Sequence, residues 1–128
     1  MILDSSAVVA ILFQEPGFEE LLESLLAADS IGIGAPTLAE TAIVVSARLG
    51  EDCRPLLSRF LLEGAIETIP FGEAHFGVAV GAWLEFGRGR HPAALNFGDC
   101  LAYASARVAD RPLLCVGDDF GRTDLPLA

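Results

Sequence analysis

The chain has 128 residues, 52% hydrophobic and 20% charged, which is enough for one buried core and excludes a disordered segment. Its formal net charge of −10 argues against a simple nucleic-acid clamp, which needs Lys and Arg to neutralise phosphates, but suits a site for divalent cations or a protein with a basic partner. Three cysteines, Cys53, Cys100 and Cys115, lack Cys-x-x-Cys spacing, so neither a zinc ribbon nor a disulfide framework is expected.

No secretory signal is expected, because Asp4 interrupts the start at once. No apolar run approaches the roughly 18 residues that span a bilayer. A reducing cytoplasm is the expected location. The high apolar share hints at a further buried surface, such as a dimer or partner interface.

Met1-Ile-Leu-Asp4 reads as a short buried strand ending on an acid. Ser5-Ser6 offers an N-cap for a helix through Ala7–Phe13, which Pro16-Gly17 breaks. Apolar residues at 18, 21, 22, 25 and 26 form the stripe of an amphipathic helix over Phe18–Ala28. Ile31–Ala35 reads as a second strand. Pro36-Thr37 opens a helix to Leu49, and Gly50 ends it. A helix over Pro55–Glu63 and a third strand over Ile66–Ile69 follow. Glu73–Phe86 reads as a helix whose Phe76, Trp83 and Phe86 pack into the core. Residues 87–98 form a Gly-rich loop with Arg88, Arg90 and His91, basic in an acidic protein. Asp99–Ala109 returns to helix, and Leu113–Val116 reads as a fourth strand before Asp118-Asp119. Short apolar strands alternating with helices predict a single α/β domain over residues 1–128, with a parallel sheet between helices. Ligands of such sheets bind beyond the carboxyl ends of the strands.

Most of the 18 acids fall on polar helix faces and need no special account. Four places differ. Asp4 follows a buried strand and precedes a helix, as a capping acid would. Glu40 lies among apolar neighbours in the first turns of its helix. Asp99 opens a helix, where an N-cap also explains it. Asp118-Asp119 follows a strand, where turn acids are common. In a parallel sheet these ends converge. Clustered carboxylates repel and desolvate one another, so they call for a cation. Oxygen-only ligands favour Mg²⁺ or Mn²⁺, which activate water in phosphodiester cleavage.

Four segments carry a family resemblance: Ile2-Leu3-Asp4-Ser5-Ser6-Ala7, Leu38-Ala39-Glu40-Thr41, Asn96-Phe97-Gly98-Asp99-Cys100, and Val116-Gly117-Asp118-Asp119-Phe120 with Thr123-Asp124. In this order, over nearly the full length, they resemble the PIN-domain ribonucleases, in particular the VapC-type toxins of toxin–antitoxin pairs. The resemblance implies a three-layer α/β/α sandwich with a sheet of four or five mainly parallel strands. It implies an endoribonuclease that uses Mg²⁺ or Mn²⁺. Asp4 and Asp99 would be the principal ligands and Glu40 would complete the cluster. Asp118 is the preferred fourth acid and Asp119 the alternative. Ser6 and Asn96 would support the site, and Asp124 would cap. A VapB-type antitoxin, a homodimer or hetero-oligomer, and structured RNA such as tRNA or rRNA would be the partners. Arg88 and Arg90 are candidates for RNA phosphates. The competing readings are another metal-dependent phosphoesterase or DNase with the same acids, and an inactive domain that only binds a partner.

Overall fold

In the computed structural model, which describes Met1–Ala128, strands and helices alternate along most of the chain. The order is β1 (Ile2–Leu3), α1 (Ser5–Leu12), α2 (Phe18–Ala27), β2 (Ile31–Gly34), α3 (Ala35–Leu49), α4 (Arg54–Glu63), β3 (Ile66–Ile69), α5 (Glu73–Phe86), α6 (Phe97–Ala109) and β4 (Leu113–Leu114), then a 3-10 helix at Phe120–Arg122. The four strands pair in the order β3-β2-β1-β4, every pair parallel. Leu127 adds a parallel bridge to Leu113 at the β4 edge. The sheet has the expected three-layer α/β/α form with four strands.

Side chains alternate across a strand, and here that alternation builds two cores. Ile2 and Leu113 join the cluster formed with α5 and α6. Leu3 and Leu114 join the cluster formed with α1, α2, α3 and α4. All four side chains are 0–3% exposed. Burial of such a side chain is worth about 1.5–3 kcal/mol, so two-residue strands suffice to hold the layers.

β2 reads Ile-Gly-Ile-Gly. Ile31 and Ile33 face the second core, leaving a glycine face toward α6. A Cβ built on Gly34 would collide with the Ser105 hydroxyl and lie 3.1 Å from Ser105 Cβ. The bare strand face therefore lets α6 lie close to the sheet and to the start of α3.

Several boundaries differ from the sequence expectation. The N-cap of α1 is Asp4, not a serine, because its side chain accepts a hydrogen bond from Ser6 N. Asn96, not Asp99, caps α6, which begins at Phe97 inside the segment expected to be loop. The fourth strand stops at Leu114. Phe86 is buried as expected, but Phe76 is 65% and Trp83 44% exposed, because α5 buries the stripe Ala79, Ala82 and Phe86 instead. No helix is long and apolar enough to cross a membrane.

Gly34→Ala should destabilise the fold by about 1–3 kcal/mol through overpacking, read from urea denaturation midpoints. Ser105→Ala in the same chain should return part of that loss. An unchanged midpoint in Gly34→Ala would mean that the α6–β2 contact is looser than described.

Candidate active site

The sheet's order reverses at β1: β2 and β3 extend on one side and β4 lies on the other. The crevice beyond the carboxyl ends of β1 and β4 is thus the topological switch point, where open parallel sheets bind ligands. Asp4 leaves β1 there, and the loop from β4 carries Asp118 and Asp119 past it.

Asp4 is 5% exposed. One oxygen, Oδ2, accepts hydrogen bonds from Ser6 N at 3.1 Å and Ser6 Oγ at 2.5 Å. Ser6 Oγ also accepts from the backbone N–H of Val116 at 2.9 Å. One hydroxyl therefore ties the β1 acid to the loop that leads to Asp119. Burial pushes the Asp4 carboxyl above its usual range; the Ser6 hydrogen bonds oppose this, and the Glu40 charge adds to it.

Asp99 sits three residues into α6 in a reciprocal cap. Asn96 Oδ1 accepts from Asp99 N at 2.9 Å, and Asp99 Oδ2 accepts from Asn96 N at 3.0 Å. That exchange satisfies helix-end donors and fixes the carboxylate. Burial first, then the charges of Asp4, Asp119 and Glu40, push Asp99 up to about 6, against the lowering effect of the Asn96 N–H.

Glu40 is half-buried in the second turn of α3. Its carboxylate lies against the backbone of Gly98 in the first turn of α6. The positive end of that helix favours an anion there. Asp4 likewise stands at the N-terminus of α1.

For the fourth position, the loop after β4 offers two acids, Asp118 and Asp119. Asp118 and Asp119 are both exposed. Asp119 raises both Asp99 and Cys115 by its charge, and Asp118 is not among the groups that do so. No side-chain cap occupies the Asp119 carboxylate, although its residue begins the 3-10 helix. Asp124 lies apart: it accepts from Tyr103 Oη at 2.6 Å and pairs with Arg107 at 3.0 Å, clasping the chain's end to α6.

Arg90 donates from Nε to the Leu84 carbonyl at 3.1 Å and stacks over Trp83 at 4.8 Å. His91 Nδ1 accepts from Ala93 N at 3.0 Å, and its ring meets Phe86 edge-on. These contacts order the basic loop. Arg88 is exposed and its side chain makes no such bond.

The four ion pairs engage Glu15, Asp52, Glu63 and Asp124. None reaches Asp4, Glu40, Asp99 or Asp119. These carboxylates therefore repel one another with no Arg to neutralise them, and they do not close into a ready-made ligand cage. Cys115 lies beside them, but burial and then the charges of Asp4, Asp99 and Asp119 push its thiol up to about 11. Its thiol is therefore protonated at neutral pH in the metal-free chain. The four carboxylates offer oxygen donors, which suit a hard divalent cation.

Sequence reasoning missed one residue of this neighbourhood. Gly98 stands in the quoted Asn96–Cys100 motif, and the signal was its type: a glycine in a helix, where most residues are better formers.

The PIN domain family matches residues 1–125. On that match, with this sheet order and these acids, the chain belongs to the PIN-domain family. Among its relatives, ribonuclease VapC36 of Mycobacterium tuberculosis is 44% identical over 126 residues, covering 98% of this chain and 91% of that protein. Ribonuclease VapC of Mycolicibacterium smegmatis is 39% identical over 98% of this chain and 97% of its own length. The solved structure of Mycobacterium tuberculosis VapC20, a sarcin–ricin loop cleaving toxin, aligns with a TM-score of 0.78 at 15% identity, covering 99% of this chain and 97% of that one. VapBC2 of Rickettsia felis, bound to a fragment of its promoter DNA, aligns at 0.77 and 23% identity over 99% and 96%. These two structures share the fold.

Asp99 binds its proton more tightly in the folded chain than in the unfolded one. Its contribution to stability is therefore fully present below about pH 4 and is lost as pH rises through about 6. Melting curves of the parent and Asp99→Asn in chelator should diverge between those values, with the parent losing ground toward neutral pH. A difference independent of pH would argue against the repulsive cluster.

Proposed function

We propose that this chain is an endoribonuclease, the toxic member of a toxin–antitoxin pair, which hydrolyses RNA phosphodiester bonds with a divalent cation held by Asp4, Glu40, Asp99 and Asp119. The observation that carries this reading is the set of unneutralised carboxylates at the switch point of the sheet. The VapC ribonucleases at 37–44% identity over nearly the whole chain support the activity. Asp119 replaces Asp118 as the preferred fourth acid because its charge is felt at Asp99.

A Mg²⁺ or Mn²⁺ ion bound there supplies a Lewis acid and a water acidic enough to attack phosphorus. The chain's own groups have distinct tasks. Asp4 and Asp99 are held rigidly by Ser6 and Asn96, so they serve as ligands. Glu40 makes no hydrogen bond that holds its carboxylate, and it orients or deprotonates the attacking water. Arg88 meets a phosphate outside the acid cluster, which offsets part of the repulsion between RNA and so acidic a protein. Arg90 serves mainly to order the loop.

The inhibitor is a VapB-type antitoxin, as the toxin–antitoxin complexes among the fold's neighbours suggest. A basic segment entering the acidic crevice would neutralise the carboxylates that the chain leaves unpaired. The family resemblance supports a homodimer or a toxin–antitoxin hetero-oligomer, a single PIN domain over residues 1–128, and structured RNA as the substrate class.

The test is cleavage of total RNA by the purified chain with Mg²⁺ or Mn²⁺, with cleavage ends mapped and single-stranded DNA run alongside. RNA should be cut and DNA spared, and chelator should stop the reaction. Asp4→Asn and Asp99→Asn should each reduce cleavage by about 100-fold or more, the several kcal/mol that a metal ion supplies. Asp119→Asn should fall with them and Asp118→Asn should stay near the parent. Cleavage that survives Asp99→Asn would refute the proposed chemistry.

Arg88→Ala should weaken RNA binding uniformly across sequences and reduce the slope of log affinity against log salt by about 1. Filter binding to the Asp99→Asn chain at several salt concentrations measures this without turnover. An unchanged slope removes Arg88 from the interface.

A further inference from the structure

Gly98 lies in regular helix, and its φ is not among the positive ones. Its backbone does not need glycine, and alanine would be the better helix former at that position. The reason for glycine lies across the interface with α3. A Cβ at position 98 would overlap Glu40 Oε2, with Glu40 Cδ at 2.9 Å and Oε1 at 3.1 Å. All three nearest atoms belong to one carboxylate. The two helices are also closely apposed further along, where a Cβ on Gly34 at the start of α3 would meet Ser105, two turns further along α6.

We propose that Gly98 is a positioning residue: its missing side chain is the seat that holds the Glu40 carboxylate against the first turn of α6, facing Asp4 and Asp99. With a side chain at position 98, the Glu40 carboxylate must shift away from the first turn of α6, or α6 must lift and carry Asp99 with it. Either movement separates acids that the parallel sheet brings together. The seat also places the Glu40 carboxylate at the N-terminal end of α6. Its importance for catalysis rests on the ribonuclease reading above, whereas the seat itself does not.

The test uses the full chain and its Gly98→Ala, Glu40→Ala and doubly substituted forms. Two quantities are read: the melting midpoint in chelator, and Mn²⁺ affinity from the electron paramagnetic resonance signal of free Mn²⁺. Gly98→Ala should weaken Mn²⁺ binding on the order of 10-fold, since displacement of a site group by about 1 Å has effects of this size or larger. In the parent it should lower or leave unimproved the melting midpoint. In the Glu40→Ala background the same substitution should raise the midpoint, because the methyl group then meets no carboxylate and helix propensity acts alone. If Gly98→Ala fails to fold, its recovery on adding Glu40→Ala is the expected result. RNA cleavage adds a third arm. The shorter acid in Glu40→Asp leaves room for the methyl group, so Gly98→Ala should cost less activity there than in the parent. Unchanged Mn²⁺ affinity in Gly98→Ala, or the same shift in midpoint with and without the Glu40 side chain, would overturn the proposal. If the parent cuts no RNA, the ribonuclease reading fails while the midpoints still decide the seat.

Discussion

Mutual repulsion among carboxylates that range from buried Asp4 to exposed Asp119 is the constraint around which this protein is built. Asp4 and Asp99 are both pushed upward by burial, and the charges of their acidic neighbours push them further. Stability alone would not select such a cluster, since an unneutralised buried charge is costly. The fold limits the cost without removing it. Helices α1 and α6 present their N-termini to the acids, and Ser6 and the Asn96 backbone donate hydrogen bonds to them. No arginine intervenes, although four of the eight are paired with acids elsewhere. The site keeps its negative charge unneutralised, and that charge is what supports the metal-dependent chemistry proposed above.

Several residues meet a local structural need and a chemical one with the same atoms. Asp4 caps α1 and remains in the cluster. Asp99 closes the cap of α6 through the oxygen that fixes its orientation. Capping a helix therefore does not remove either carboxylate from the cluster. A helix N-terminus at the carboxyl edge of a parallel sheet is where an anion is both tolerated and useful. Ser6 extends the principle, since its hydroxyl bonds the acid and the Val116 backbone together.

Small residues set how near the acids can come. The glycine face of β2 admits α6, and Gly98 admits the Glu40 carboxylate. Each glycine sacrifices helix or strand propensity for proximity. By contrast, the outer face of α5 leaves Phe76 and Trp83 substantially exposed. Their helix meets its packing requirement with two alanines and Phe86, because close helix packing against α6 leaves space for small side chains.

The order and type of the main elements, the parallel sheet and the convergence of Asp4, Glu40 and Asp99 were legible in the residues. Hydrophobic periodicity and helix punctuation are local, and they survive folding. The same local signals offered Ser5-Ser6 as well as Asp4 for the first cap, and Asp99 for the last, where Asp4 and Asn96 are the caps. Several polar residues near a helix start satisfy the same rule, and only backbone direction selects one. They also placed Phe76 and Trp83 in the core, because periodicity defines a stripe but not which side of it a neighbouring helix covers. The choice between Asp118 and Asp119 was beyond sequence reasoning, since adjacent residues in a turn point differently and share every composition signal. Tertiary structure brings the Asp119 charge to bear on Asp99, and that is the ground on which Asp119 is proposed. It also decided what Gly98 is for. The residue type was visible along the chain, but the carboxylate it accommodates lies 58 positions earlier and meets it only where α3 and α6 pack together.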